Sequence, residues 1–283
     1  MPTKIALLVD SASDVPTEIT ANENIEVVPL IVTANGQEYL DRETIQPEEV
    51  YQMIAHNQIP KTASPTVGIV KKSIEKLTNR GYQQIIAVTI SSGLSITNRV
   101  FKQAAEESDG IKMTVIDSKN IGIGSGLVAA YAEELIHNQV AYNEIVTRVE
   151  ESVIKSRVYF YIPTLKYLRI GGRIGKVAGL IGSALNIKPI ISCNPQGIYY
   201  PIAKTRSEKK AIGKLLDLAV THAQKSDHFR MGVAQGNDDS LMKQVTAELK
   251  NRFPEQKIYT GNVSPALGVH TGPGLIGIAV QID

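Results

Sequence analysis

The sequence predicts an α/β chain of two domains. Residues 1–156 are built on a parallel sheet flanked by helices, and residues 157–283 on a mixed or antiparallel sheet with its own helices. Three observations carry this. At 283 residues the chain exceeds the usual size of one compact core. Its first half alternates short β-rich runs with helical patterns, as a parallel sheet covered by helices requires. In its second half two apolar runs are separated only by Asn194-Pro195-Gln196-Gly197, a hairpin-like turn that brings in an antiparallel pair.

Residues 5–9 form the first apolar run and read as a strand ended by Asp10. Residues 27–32 read as the next strand, and residues 47–56 and 67–79 as helices. The run Ile85-Ile86-Ala87-Val88-Thr89-Ile90 is a buried strand that drives into Ser91-Ser92-Gly93-Leu94-Ser95-Ile96-Thr97 and a helix over residues 94–107. At such a junction a serine either caps the helix or, with the free backbone N–H groups, holds an anion. Residues 113–116 follow as a strand. Residues 126–138 form a helix with Leu127, Ala130, Tyr131, Glu134 and Leu135 at helical spacing, and residues 141–156 form the last helix before the boundary. Beyond it, strands over 158–162, 189–193, 198–203, 229–235, 257–259 and 276–282 accompany helices over 208–222 and 240–252. No internal repeat or low-complexity linker interrupts them.

A hydrophobic fraction of 43% with 20% charged residues is that of a soluble globular protein, and a formal charge of +2 argues for no particular partner. Nucleic-acid binding calls for a basic stripe with interleaved aromatics, whereas Lys71-Lys72 and Lys209-Lys210 are short pairs on helix surfaces. The single Cys193 excludes an internal disulfide framework and, inside an apolar run, is a packed residue rather than a nucleophile. The run over residues 5–9 is too short for a signal peptide or an integral membrane segment, so a cytoplasmic location is expected.

Several chemistries lack their residues. The five histidines His56, His137, His222, His228 and His270 are scattered, with no metal-ligand spacing. Gly122-Ile123-Gly124-Ser125-Gly126 resembles a dinucleotide loop, but Leu127 stands where the third glycine belongs. Gly171-Gly172-Arg173-Ile174-Gly175-Lys176-Val177 is one residue short of a P-loop and has no hydroxyl after its lysine. No nucleotide or other cofactor is therefore expected. There is no GxSxG elbow. The enzyme alternative is a serine-dependent acyl hydrolase or transferase with Ser92 as nucleophile and His270 as base, oriented by Asp10 or Asp117.

Four loops are rich in Gly, Pro and hydroxyls: Asp10-Ser11-Ala12-Ser13-Asp14, residues 60–66, residues 91–97, and Gly268-Val269-His270-Thr271-Gly272-Pro273-Gly274. Ligands of open parallel sheets bind beyond the carboxyl ends of the strands, so the first three loops converge on one crevice and the fourth makes it an interdomain cleft. These loops, with Leu165-Lys166-Tyr167-Leu168-Arg169-Ile170-Gly171-Gly172-Arg173-Ile174-Gly175 and Lys204-Thr205-Arg206-Ser207-Glu208-Lys209-Lys210-Ala211, resemble the DegV family of bacterial fatty-acid-binding proteins over essentially the whole chain. The resemblance implies a carrier that encloses one long-chain fatty acid and presents its carboxylate to a separate fatty acid kinase catalytic subunit. Carried over by position, Thr62 and a serine of the Ser91-Ser92-Gly93 turn, Ser92 first and Ser95 next, donate to the carboxylate with His270 beside them. Arg173 and Arg206 are the candidates for contact with phosphate or the kinase. Two departures stand near this site. Family members commonly read Thr-Ser-Gln-Pro where this chain has Thr62-Ala63-Ser64-Pro65, and a glycine where it has Ile96.

Overall fold

The computed structural model describes residues 4–180 and 187–283. In chain order its first elements are β1 (Ile5–Asp10), α1 (Thr17–Thr20), β2 (Ile25–Val28), β3 (Ile31–Ala34), β4 (Gln37–Leu40), α2 (Pro47–Ala55), β5 (Lys61–Ala63), α3 (Val67–Asn79), β6 (Gln84–Thr89), α4 (Thr97–Glu106), β7 (Lys112–Asp117), α5 (Ile123–His137) and α6 (Tyr142–Lys155). There follow β8 (Arg157–Tyr161), α7 (Lys166–Ile170), β9 (Lys188–Cys193), β10 (Tyr199–Thr205), α8 (Glu208–Ala223), β11 (Phe229–Gly236), α9 (Asp239–Arg252), β12 (Ile258–Asn262), α10 (Pro265–Thr271) and β13 (Leu275–Ile282).

The α/β class is as the sequence predicts. Sheet β2-β1-β6-β7 is parallel throughout. Because alternate side chains leave a strand on opposite faces, Leu7, Val9, Ile86 and Val88 pack against α5 and α6, while Ala6, Leu8, Ile85 and Ala87 pack against α3 and α4. Both faces are buried, which is why these strands read as unbroken apolar runs rather than alternating ones. The second sheet, β10-β9-β8-β13-β11-β12, is mixed: β11 and β12 run parallel and every other pair is antiparallel. One of its faces carries α8 and α9, and the other joins a core shared with α2, α10 and residues of the first half. No helix among the described residues is long and apolar enough to cross a membrane.

Helix α5 lies between the two sheets and touches β1 and β6 on one side and β8, β11 and β13 on the other. It is apolar over most of its surface, and only its C-terminal end, with Glu134 and His137, reaches solvent. Its small residues set the approach: a Cβ at Gly124 would stand 2.8 Å from Val158 Cβ, and one at Gly126 would stand 2.6 Å from the Ser13 carbonyl oxygen. The glycines of the dinucleotide-like loop are therefore packed against protein atoms.

Four local expectations change. The single strand over residues 27–32 is two strands in different sheets, parted after Val28 at Pro29, which has no N–H for a ladder. The segment 60–66, expected as a loop, contains β5, which pairs with β3 in a third, antiparallel sheet of order β4-β3-β5. The helix expected from Leu94 starts at Thr97. The glycine-flanked loop around His270 is the end of helix α10.

Candidate functional site

Thr62 sits in the middle of β5, opposite Val32, and this three-residue strand holds its half-buried hydroxyl beside the last turn of α10. Ser264 and Pro265 start that helix, with Ser264 Oγ accepting from the Leu267 N–H at 3.3 Å, and His270 stands in its last turn. Thr62 Oγ1 and His270 Nε2 are 2.7 Å apart. Burial, reinforced by the Arg173 guanidinium, pushes the imidazole down to about 4, so His270 is neutral at physiological pH. Its Nδ1 is buried without a hydrogen-bond partner.

Gly171 explains the second nitrogen. A Cβ at this residue would lie 2.0 Å from His270 Nδ1 and 2.6 Å from its Cε1, so the ring fits only against glycine. The backbone there, φ −76°, suits any residue. Gly171→Ala is therefore expected to fold at a cost of about 1–2 kcal/mol while turning the His270 ring away from Thr62. The imidazole nitrogen resonances of His270 check this: a ring still bonded to Thr62 would refute it.

Next to this pair, Ser64 Oγ, Ser95 Oγ and Thr97 Oγ1 form a ring of hydroxyls at 2.9–3.2 Å, and Ser95 Oγ also accepts from the Thr97 N–H. They tie β5 to the start of α4. Thr62, Ser64, Ser95, Arg173 and His270 border a cavity of about 460 Å³, counting the space at its mouth, whose remaining wall includes Leu30, Ile90, Leu94, Ile121, Tyr199 and Leu267. Three of these residues, Ile121, Tyr199 and Leu267, also line a neighbouring cavity of about 350 Å³, otherwise bounded mainly by Ile123, Val158, Phe160, Ala234, Val263, Leu275 and Gly277. The first cavity is polar at one end, and the second is apolar almost throughout.

The structure brings together Thr62, Ser95, Arg173 and His270, but not Ser92, Gly93 or Arg206. Ser92 is exposed, its N–H donates to Asp117 Oδ1 at 3.2 Å, and its hydroxyl accepts from Lys119 Nζ at 3.2 Å. His270 is engaged with Thr62, so the nucleophile–base pair of the enzyme alternative is not formed. Ser91, not Ser92, is the buried serine of the turn. Its Oγ donates to the Gly197 carbonyl at 2.9 Å and accepts from the Gly93 N–H at 3.0 Å, docking the β9–β10 hairpin onto the first sheet. A Cβ at Gly93 would stand 2.7 Å from the Gln196 carbonyl oxygen, so Gly93 serves that docking too. Arg206 is exposed between β10 and α8 and does not border the cavity, whereas Arg173 does, with Nη1 donating to the Gly171 carbonyl at 2.8 Å. Among the described residues no group of three or more His, Cys, Asp or Glu is placed to hold a metal ion.

Gly171, Ser64 and Tyr199 have no role that sequence reasoning assigns. Gly171 left a signal as one of a pair of glycines next to Arg173 in a motif that fits no phosphate loop, and Ser64 as part of the departure Thr62-Ala63-Ser64-Pro65.

The family model described as "Uncharacterised protein, DegV family" matches residues 4–283. A DegV domain-containing protein of Clostridium acetobutylicum is 38% identical over 280 residues, 98% of each chain. Protein DegV of Bacillus subtilis is 29% identical, covering 97% of this chain and 98% of its own. Among solved structures, a DegV family protein from Thermus thermophilus, reported for its fatty acid binding, superposes with a TM-score of 0.92 at 26% identity, covering 99% of this chain and 100% of that one. DegV from Bacillus subtilis, described as a fatty acid binding protein, superposes with a TM-score of 0.90 at 28% identity over 99% and 100% of the two chains.

Proposed function

We propose that this chain, which belongs to the DegV family, binds a long-chain fatty acid with its carboxylate at Thr62, Ser95 and His270 and its tail in the apolar cavity beyond Tyr199. The site lies in a cleft between an N-terminal unit, residues 1–156, and a C-terminal one, residues 157–283. The carrier presents the carboxylate to a separate kinase catalytic subunit in the cytoplasm for acyl-phosphate formation, with Arg173 at the site and Arg206 on the surface as contacts for phosphate or kinase. The single observation that carries the reading is the Thr62–His270 pair, 2.7 Å apart, at the polar end of a cavity that shares Ile121, Tyr199 and Leu267 with an apolar one.

The head group is matched by neutral groups. With its Nε2–H donating to Thr62 Oγ1, a neutral His270 leaves the threonine proton free for a carboxylate oxygen. A neutral donor grips a carboxylate less firmly than a bidentate arginine and leaves its second oxygen accessible to an incoming phosphoryl group. Affinity comes mainly from the tail, at about 0.8 kcal/mol per buried CH₂ against about 1 kcal/mol for one hydrogen bond.

Mass spectrometry of an organic extract of the purified protein is expected to find a long-chain fatty acid. No co-purified lipid together with no saturable uptake of added fatty acid would reject the reading. Thr62→Ala is expected to weaken fatty-acid binding about fivefold to tenfold, the worth of one hydrogen bond, and to reduce acyl-phosphate formation with a cognate kinase by more than that.

A further inference from the structure

Helix α10 carries His270 at its last turn, and its first turn is held by two buried carboxylates that the head-group site does not itself use. Ser264 N–H donates to Asp14 Oδ1 at 2.9 Å, and Ala266 N–H donates to Asp41 Oδ1 at 3.1 Å. The four amide positions at a helix start have no partners inside the helix. Here Pro265 has no N–H and Leu267 N–H goes to Ser264 Oγ, so Asp14 and Asp41 take the two that remain. Each carboxylate is fixed in turn. Ser11 Oγ donates to Asp41 Oδ2 at 2.6 Å and accepts from Leu30 N–H, while Arg42 Nη2 donates to Asp14 Oδ1 at 2.8 Å and to the Asn262 carbonyl at 2.6 Å.

Asp41 is 1% exposed and Asp14 8%, and the nearest cation is the one guanidinium of Arg42. Two buried carboxylates with a single cation are costly to the fold, whereas a neutral serine or asparagine would satisfy a helix start at far less expense. What the acids supply is strong, directional acceptors at fixed positions. The distance over which they act is short: His270 follows Ala266 by four residues, about one helical turn or 6 Å of rise. A shift of the first turn therefore reaches the imidazole undiminished.

We propose that Asp14 and Asp41 are positioning residues for the head-group site, setting the place of α10 against β5 so that His270 Nε2 meets Thr62 Oγ1. The effect on binding rests on the fatty-acid reading, but the geometry that the two acids explain is present without ligand. The binding test compares a long-chain fatty acid with the primary alcohol of the same tail, which lacks the carboxylate. Asp41→Ala, which removes the acceptor for Ala266 N–H, is expected to weaken binding of the acid about fivefold to tenfold, the loss of one hydrogen bond, and to leave binding of the alcohol within about twofold. Equal losses for both ligands, or none for either, would overturn the positioning role. In a His270→Ala background Asp41→Ala is expected to cause no further loss for the acid, and a full second loss would overturn it as well. The ligand-free protein provides an independent readout. The imidazole nitrogen resonances of His270 are expected to show the bond to Thr62 broken in Asp41→Ala, and unchanged resonances would refute the positioning role even if the protein bound no fatty acid. Where Asp41→Ala fails to fold, Asp14→Ala, which removes the acceptor for Ser264 N–H, is read in the same two ways.

Discussion

Gly197→Ala is expected to cost about 3 kcal/mol of stability, measured as the shift of the chemical denaturation midpoint. Two causes add. Gly197 has φ +74°, where an L side chain is strained by about 1–3 kcal/mol. A Cβ there would also lie 1.7 Å from Ser91 Oγ and 2.9 Å from Ser91 Cβ, on a buried side chain that cannot step aside without losing its bonds to Gly197 and Gly93. The turn is otherwise rigid, since Asn194 Oδ1 accepts from both Gln196 N–H and Ile198 N–H. Adding Ser91→Ala is expected to return part of the loss, because it removes the nearer atom and leaves the backbone strain. A Gly197→Ala protein within 1 kcal/mol of the parent would show that the hairpin is not docked as described.

The second large effect is an increase of stability toward mild acid. Burial pushes Asp10 up from 3.8 to about 7 and Asp14 to about 6, the latter against the pull of Arg42, and burial also raises Asp41 and Glu133. For each of these the folded protein binds a proton that the unfolded chain does not, so the stabilisation is complete below the unfolded value and lost as pH rises through the folded one. His270 acts oppositely. Lowered by burial to about 4, it leaves the unfolded chain with the extra proton below 6.5, and His222, also lowered by burial, has the same sign. Asp10 and Asp14 titrate within this window against His270, so stability is expected to rise as pH falls from about 7 to about 5. Urea denaturation across this range measures it. Asp10→Asn should flatten the slope, and a protein that weakens steadily from pH 7 to pH 5 would refute the burial of these carboxylates.

The parallel sheet was legible because its central strands are buried on both faces and α3, α4 and α6 are amphipathic, so each signal stood alone in the sequence. The third sheet was not. Lys61-Thr62-Ala63 is three residues long, neither apolar nor alternating, and becomes a strand only because β3 offers an edge. Helix α10 was hidden by Gly268 and Gly272, residues that suggest a loop, although Ser264-Pro265 marked its start. Ser92 was preferred to Ser95 by position in the resemblance, with α4 expected from Leu94; the helix starts at Thr97 instead, nearly one turn later, so Ser95 stands at its N-terminus and Ser91 holds the hairpin. Thr62 and His270 were found together through the resemblance; their contact, across 208 residues of chain, is set by packing that no local pattern records.

Helix α5, gripped by β1 and β6 on one side and by β8, β11 and β13 on the other, has a consequence for how a ligand is received. Because one element packs against both sheets, the space between them is already formed in the absence of a ligand. A ligand entering such a space spends little of its interaction energy on closing the protein, so nearly all that a buried tail contributes is retained as affinity.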